Sequence, residues 1–179
     1  QICCSRSFAQ NCSDADAVAS ALAVHAAQAA RRLRQQHCRA LAVSVFVLSN
    51  TFNPRQKQHV IHATTVFKYA TADTARITHA ACEMMRARFV RSVGYQKAGI
   101  ILSELVPEGT PEPLDLFDTP SPEQERREKL MQVLDSLTSR YGVSPLTTAV
   151  STLSSGAAMR RERLSRCYTT RIADVLTAN

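Results

Sequence analysis

Apolar residues along this chain recur at two different spacings, and each change of spacing marks a new element. Val18, Leu22, Ala26, Ala29 and Leu33 come at intervals of four and three, the stripe of an amphipathic helix. Ser13, Asp14 and Asp16 stand ahead of it and predict its start, a hydroxyl cap followed by carboxylates at the positive end of the dipole. Arg31, Arg32 and Arg34 close it at the negative end. Residues 40–48, ALAVSVFVL, switch to strict alternation, with Leu41, Val43, Val45 and Val47 on one face of a predicted strand. A turn follows at Ser49, Asn50, Asn53 and Pro54, and a third apolar–polar alternation runs through 58–67. Thr71 or Asp73 then starts a second helix with Ile77, Ala81 and Met84 on its packing face, which Gly94 ends. Residues 94–102, GYQKAGIIL, form another strand, and residues 2–8, ICCSRSF, alternate well enough to be a first one.

The order is strand, helix, strand, strand, helix, strand. Two strand–helix–strand units joined by a hairpin predict an α+β fold with a four-stranded sheet. Each helix has a single apolar stripe, so both must lie on one face of the sheet and leave the other open. The polar residues alternating along the strands then point outward, to water or to a ligand.

Beyond 105 the pattern changes. Pro107, Gly109, Pro111 and Pro113 predict a linker over 106–120. It carries PLDLF, from Pro113 to Phe117, whose apolar side chains are too few for a core of their own. Either the tail folds over them or another protein takes them. Ser121, Pro122 and Gln124 make a capped helix start, and Leu130, Val133 or Leu134, Leu137 and Tyr141 give a helix over 122–141 that must dock or self-associate. Residues 143–158 read as loop, and the end carries Arg160, Arg161, Arg163, Arg166 and Arg171. The expected organisation is a body at 1–105, the linker, and a partly helical C-terminal extension at 121–179.

Charge divides at the same place. Residues 1–103 hold 13 Lys and Arg against 4 Asp and Glu, a net of +9; the remainder holds 9 against 11, a net of −2. A basic body suits a polyanion such as nucleic acid. No run approaches the ~20 apolar residues of a membrane helix. Gln1 begins the chain with no apolar signal segment after it, which reads as part of something longer. Six cysteines lack CxxC spacing, and Cys38 and Cys82, where helices end or pack, suit small buried thiols in a reducing cytosol. His59 and His62 lie on a predicted strand without the spacing of a closed zinc site.

SRSF at 5–8, KAGI at 97–100, LDLF at 114–117, REKLMQVLD at 127–135, SRYG at 139–142, MRRERLS at 159–165 and YTTR at 168–171 resemble, in this order, the UmuC-like members of the Y family of translesion DNA polymerases. The resemblance implies a little finger domain at 1–105 with the same element order, and the subfamily's extension after it. It implies a grip on template–primer duplex through Ser5, Arg6, Ser7, Arg55, Lys57, Lys68 and Lys97, with phosphate contacts that carry no sequence preference. It further implies binding of the processivity sliding clamp through Pro113, Leu114, Asp115, Leu116 and Phe117, with Pro113 replacing the usual glutamine. A UmuD-type accessory subunit, RecA, SOS mutagenesis and a bacterial, cytoplasmic, nucleoid-associated setting belong to the same resemblance. Catalysis there uses magnesium on palm carboxylates. Asp14, Asp16 and Asp73 read instead as helix starts, so this chain is expected to hold no cofactor and to be inactive alone. Departures from relatives fall at Ala157, Arg166, Cys167 and Ile172. Two other functions compete: a stand-alone RNA-binding module stacking bases on Phe8, Phe46, Phe67 or Tyr95, and a protein-interaction scaffold without DNA contact.

Overall fold

The computed structural model describes residues 1–53, 56–110, 122–142, 146, 149–152 and 167. In chain order these form β1 (Ile2–Cys12), α1 (Ala15–Gln35), β2 (Cys38–Ser49), β3 (Val60–Thr71), α2 (Thr74–Arg86), β4 (Tyr95–Pro107) and α3 (Pro122–Tyr141), with a single 3₁₀ turn at Ala149–Thr152. The four strands make one antiparallel sheet in the order β1-β4-β2-β3.

The α+β reading holds, and both helices lie on one face. Two apolar clusters join α1 and α2 to the sheet: one contains Leu33, Ile77, Val43, Val45, Ile100 and Leu102, the other Val18, Leu22, Met85, Val47, Ile61 and Tyr95. Within α1, Val18, Leu22, Ala26, Ala29 and Leu33 are fully buried, as the stripe demands. Its many alanines fold into a helix without losing side-chain entropy.

Several details differ from the expectations. The cap of α1 is Asp14, whose carboxylate accepts from the Asp16 amide, one residue after Ser13. Asp73 caps α2 by accepting from Ala75 N. That helix stops at Arg86, well before Gly94, and buries Met85 fully, while the expected Met84 packs partly buried against the core. Gly94 is instead a point of close approach, since an added Cβ would stand 2.5 Å from the Gln56 amide nitrogen. Leu41 is only half-buried.

Strand β4 runs on to Pro107, paired with Cys38, past the expected edge at 105. Leu102 and Leu105 both pack on the same core although three residues apart, which strict alternation forbids. Glu104 makes it possible by adopting φ 51, turning the pleat over.

The helix expected at 122–141 is α3, ended by Gly142 at φ 87. Its docking face is only part of the expected stripe. Met131 is buried and Leu134 and Leu137 are half-buried, whereas Leu130, Val133 and Tyr141 remain exposed. Ionic contacts set the seat: Arg34 donates to both oxygens of Asp135 at 2.6 and 2.8 Å, and Arg127 reaches Asp73 at 3.2 Å. Ser151 accepts from Ser20 at 2.8 Å, so the 3₁₀ turn also seats on α1. These three contacts of the extension thus fall on α1 and on the cap of α2. The expected cap Ser121 is outside the described residues.

Candidate functional site: the helix-free face of the sheet

Register assigns every strand residue to a face. On the covered side run the rows Ile2–Leu102–Val43–Thr65, Cys4–Ile100–Val45–Ala63 and Arg6–Ala98–Val47–Ile61. Between them, facing away from the helices, run Cys3–Ile101–Ser44–Thr64, Ser5–Gly99–Phe46–His62 and Ser7–Lys97–Leu48–Val60.

This second set places the hydroxyls of Ser5, Ser7, Ser44 and Thr64 and the ammonium of Lys97 among the apolar Ile101, Phe46, Leu48 and Val60. The Ser44 and Thr64 hydroxyls share a hydrogen bond of 2.7 Å. Lys97 extends over Phe46, its ammonium 5.9 Å from the ring centroid. Lys68 continues the exposed alternation of Val60, His62, Thr64 and Val66 along edge strand β3, with its ammonium 5.1 Å from the Tyr69 ring centroid. Among the described strand residues the sole carboxylate is Glu104. The surface is therefore electropositive, and hydroxyl and ammonium donors along parallel rows are the groups that meet a line of phosphates.

The sequence-predicted residues divide. Ser5, Ser7 and Lys97 come together on adjacent strands, and Lys68 shares their face. Lys57 is exposed in the connection between β2 and β3. Arg6 is not with them: it pairs with Ala98 in a covered-side row, because successive side chains on a strand point to opposite faces. Its charge acts on His25 of α1, which is buried and whose Nδ1 has no partner among the described residues. Burial and then the Arg6 guanidinium push the His25 pKa down to about 4. Arg55 and the whole of Pro113–Phe117 lie outside the described residues.

Of the aromatics that would serve base stacking, only Phe46 is on the helix-free face. Tyr95 is fully buried, its hydroxyl joined to His59 Nδ1 at 2.9 Å and accepting from Val90 N at 3.2 Å. Phe8 and Phe67 pack against the two core clusters.

Sequence reasoning did not single out Ser44, Thr64 or the partnership of Phe46 with Gly99, and weighed His62 only as a zinc ligand. An isolated glycine within the apolar strand GIIL was the available signal, since a strand interior gives up a side chain where something approaches closely.

Among the described residues no three His, Cys, Asp or Glu side chains are grouped so as to hold a metal ion. Asp14 and Asp73 cap helices, Asp16 meets Arg86 at 3.2 Å, and Asp73 also holds Arg127. These carboxylates do not fit a two-metal site. Burial raises the Cys4, Cys12 and Cys82 thiols, keeping them protonated. Where α3 meets the body lies a cleft of about 610 Å³, whose Arg34, Arg76 and Arg127 are balanced by Asp73, Glu128 and Asp135. No described helix is long and apolar enough to cross a membrane.

Comparison with known proteins gives these observations a context. Residues 1–116 match the model of the impB/mucB/samB family C-terminal domain, and residues 128–178 match a domain of unknown function. The chain is 34% identical over 176 residues to Protein UmuC of Salmonella typhimurium, covering 98% of this chain and 41% of that protein. It is 37% identical over 180 residues to Protein SamB of Salmonella typhimurium, covering 99% and 41%. With Protein MucB of Escherichia coli it shares 36% over 172 residues, covering 95% and 39%. The chain thus spans about two-fifths of the length of these curated relatives. Among solved structures it is similar to the insertion ternary complex of Dbh DNA polymerase, with TM-score 0.48 and 14% identity over 60% of this chain and 29% of that one.

Proposed function

Because this chain belongs to the impB/mucB/samB family, we propose that it is the DNA-gripping little finger and C-terminal extension of an error-prone translesion DNA polymerase serving SOS-type repair. Nucleotide transfer, with its magnesium, belongs to a palm domain elsewhere in the parent protein. The observation that carries this reading is the helix-free face, where Ser5, Ser7, Ser44, Thr64 and Lys97 present hydroxyls and a cation by register and Lys68 adds a second cation by the exposed alternation of β3. These donors grip duplex phosphates, and phosphates look alike in every sequence, which suits passage over damaged template. PLDLF at 113–117 binds the sliding clamp as an extended peptide, with Leu114, Leu116 and Phe117 filling an apolar pocket. The UmuD-type subunit, RecA and the bacterial cytoplasm follow from family kinship alone.

Titration of the chain with duplex DNA at several salt concentrations tests the central claim. The logarithm of affinity should fall with log salt by about 0.9 per phosphate contacted, equally for unrelated sequences. Lys97→Ala should flatten that slope by about one contact. Preference for single-stranded RNA, or binding indifferent to salt, would remove the reading. Separately, Leu116→Ala with Phe117→Ala should abolish clamp capture; retained capture would strike PLDLF from the account.

A further inference from the structure

The centre of the helix-free face is not polar. Phe46 occupies it, flanked in its own row by Gly99 and His62. The ring lies down across the neighbouring strand: a Cβ added to Gly99 would stand 2.3 Å from Phe46 Cζ, 2.8 Å from Cε1 and 2.5 Å from Ser5 Cβ. Those spacings are far inside van der Waals contact, so the ring can lie flat only over a residue without a side chain. Lys97 stands two residues before Gly99 on the same strand and the same face, with its ammonium 5.9 Å from the ring centroid.

A lysine among serines on an open sheet would sweep many rotamers and lose that freedom on binding. The negative face of an aromatic ring within ~6 Å narrows the sweep by attracting the ammonium. A ring occupied in this way is also a poor platform for a base, which separates it from the stacking aromatics of single-strand binders.

We propose that Phe46 is a positioning residue: lying flat over Gly99, it holds the Lys97 ammonium where a backbone phosphate of duplex DNA meets the sheet. This inference rests on the reading of the helix-free face as the duplex surface. Phe46 acts through Lys97 and not by touching nucleic acid itself.

The test is a set of four variants of the full chain, titrated with a fluorescent duplex of arbitrary sequence across a range of salt. Phe46→Leu keeps an apolar side chain over Gly99 but removes the ring, and should weaken binding about three-fold with the salt slope unchanged. Phe46→Tyr should bind as the parent does. Lys97→Ala should lower the slope by about 0.9, and adding Phe46→Leu to it should change nothing further. Melting temperatures of all variants show that the sheet is kept. Two results would overturn the inference: parent-like affinity in Phe46→Leu, or an equal loss from Phe46→Leu with and without Lys97. If the parent chain itself binds duplex without salt dependence, the reading of the face fails first, and that is seen before any variant is compared.

Discussion

The body and the extension of this molecule are held by different forces. In the body, Leu22, Leu33, Val43, Val45, Val47, Ile77, Ile100 and Leu102 are fully buried between one sheet and two helices. On α3, Met131 is buried and Leu134 and Leu137 are only half-buried, while Leu130 and Val133 stay in water. What fixes α3 is the Arg34 fork, which grips Asp135 and donates also to Ala72 O at 2.7 Å and Thr74 Oγ1 at 3.1 Å. Area holds the first and charge holds the second. Burial of apolar surface is little affected by screening, whereas a part-exposed ion pair is weakened by it. The extension should therefore loosen under conditions that leave the body intact.

The largest expected effect tests the body's side of that contrast. Leu22→Ala opens a cavity beneath α1 and should cost about 2–5 kcal/mol, read as a lower urea midpoint with an unchanged slope. A midpoint equal to the parent's would mean that this helix does not rest on the core as described.

Acid should act on the body as well. Folded His25 has a pKa of about 4, below its ordinary value of 6.5. As pH falls below 6.5 the unfolded chain takes up the proton first, so stability is full above that pH and drains away toward pH 4. The loss should reach about 3 kcal/mol by the lower end. Melting curves of the parent and of His25→Leu, recorded between pH 4 and 7, give the comparison: the variant should lack this share of the slope.

For the extension, Asp135→Asn removes the charge that Arg34 grips. Opening of α3 should become about ten-fold more frequent, equivalent to about 1.4 kcal/mol. Hydrogen exchange over 126–141 measures it, and the body's melting temperature should stay within about a degree of the parent's. Raising salt should mimic the substitution in the parent and do little in the variant. Unchanged exchange would mean that Met131, not the fork, seats the helix.

How the two regions were legible in the sequence follows the same division. Burial leaves a period: the stripe of α1 and the alternation of β2 identify their elements without reference to anything distant. Local caps do too, which is why Pro122–Tyr141 is recognisable as a helix. Charge pairing leaves no period. The face by which α3 docks is chosen by Asp73 and Arg34, 54 and 101 residues from their partners Arg127 and Asp135. The leucine stripe therefore gave only part of the seat: Leu134 and Leu137 are half-buried, while Leu130 and Val133 are exposed. The site was half legible for a related reason. Alternation says which strand residues share a face, but the helices decide which face is bare, and Arg6 falls on the covered one. Glu104 breaks the alternation by a backbone choice that its side chain does not announce.

Arg6 supplies the smallest effect and the sharpest separation between the two faces of the sheet. It stands between Ser5 and Ser7, carries a charge like that of Lys97, and is exposed. Proximity in sequence therefore assigns it to the same work. Register assigns it instead to the helical side, opposite Ala98, where its charge is felt by His25. Arg6→Gln should leave the salt slope of duplex binding as in the parent, where Lys97→Ala removes about 0.9. The same substitution should raise the His25 pKa, since one of the two causes holding it down is gone. Less stability is then lost between pH 6.5 and 4. An NMR titration of the His25 ring reads the second effect independently of DNA. A slope that falls with Arg6→Gln while the His25 pKa stays put would assign Arg6 to the duplex surface, and strand alternation would no longer decide which cations the duplex meets.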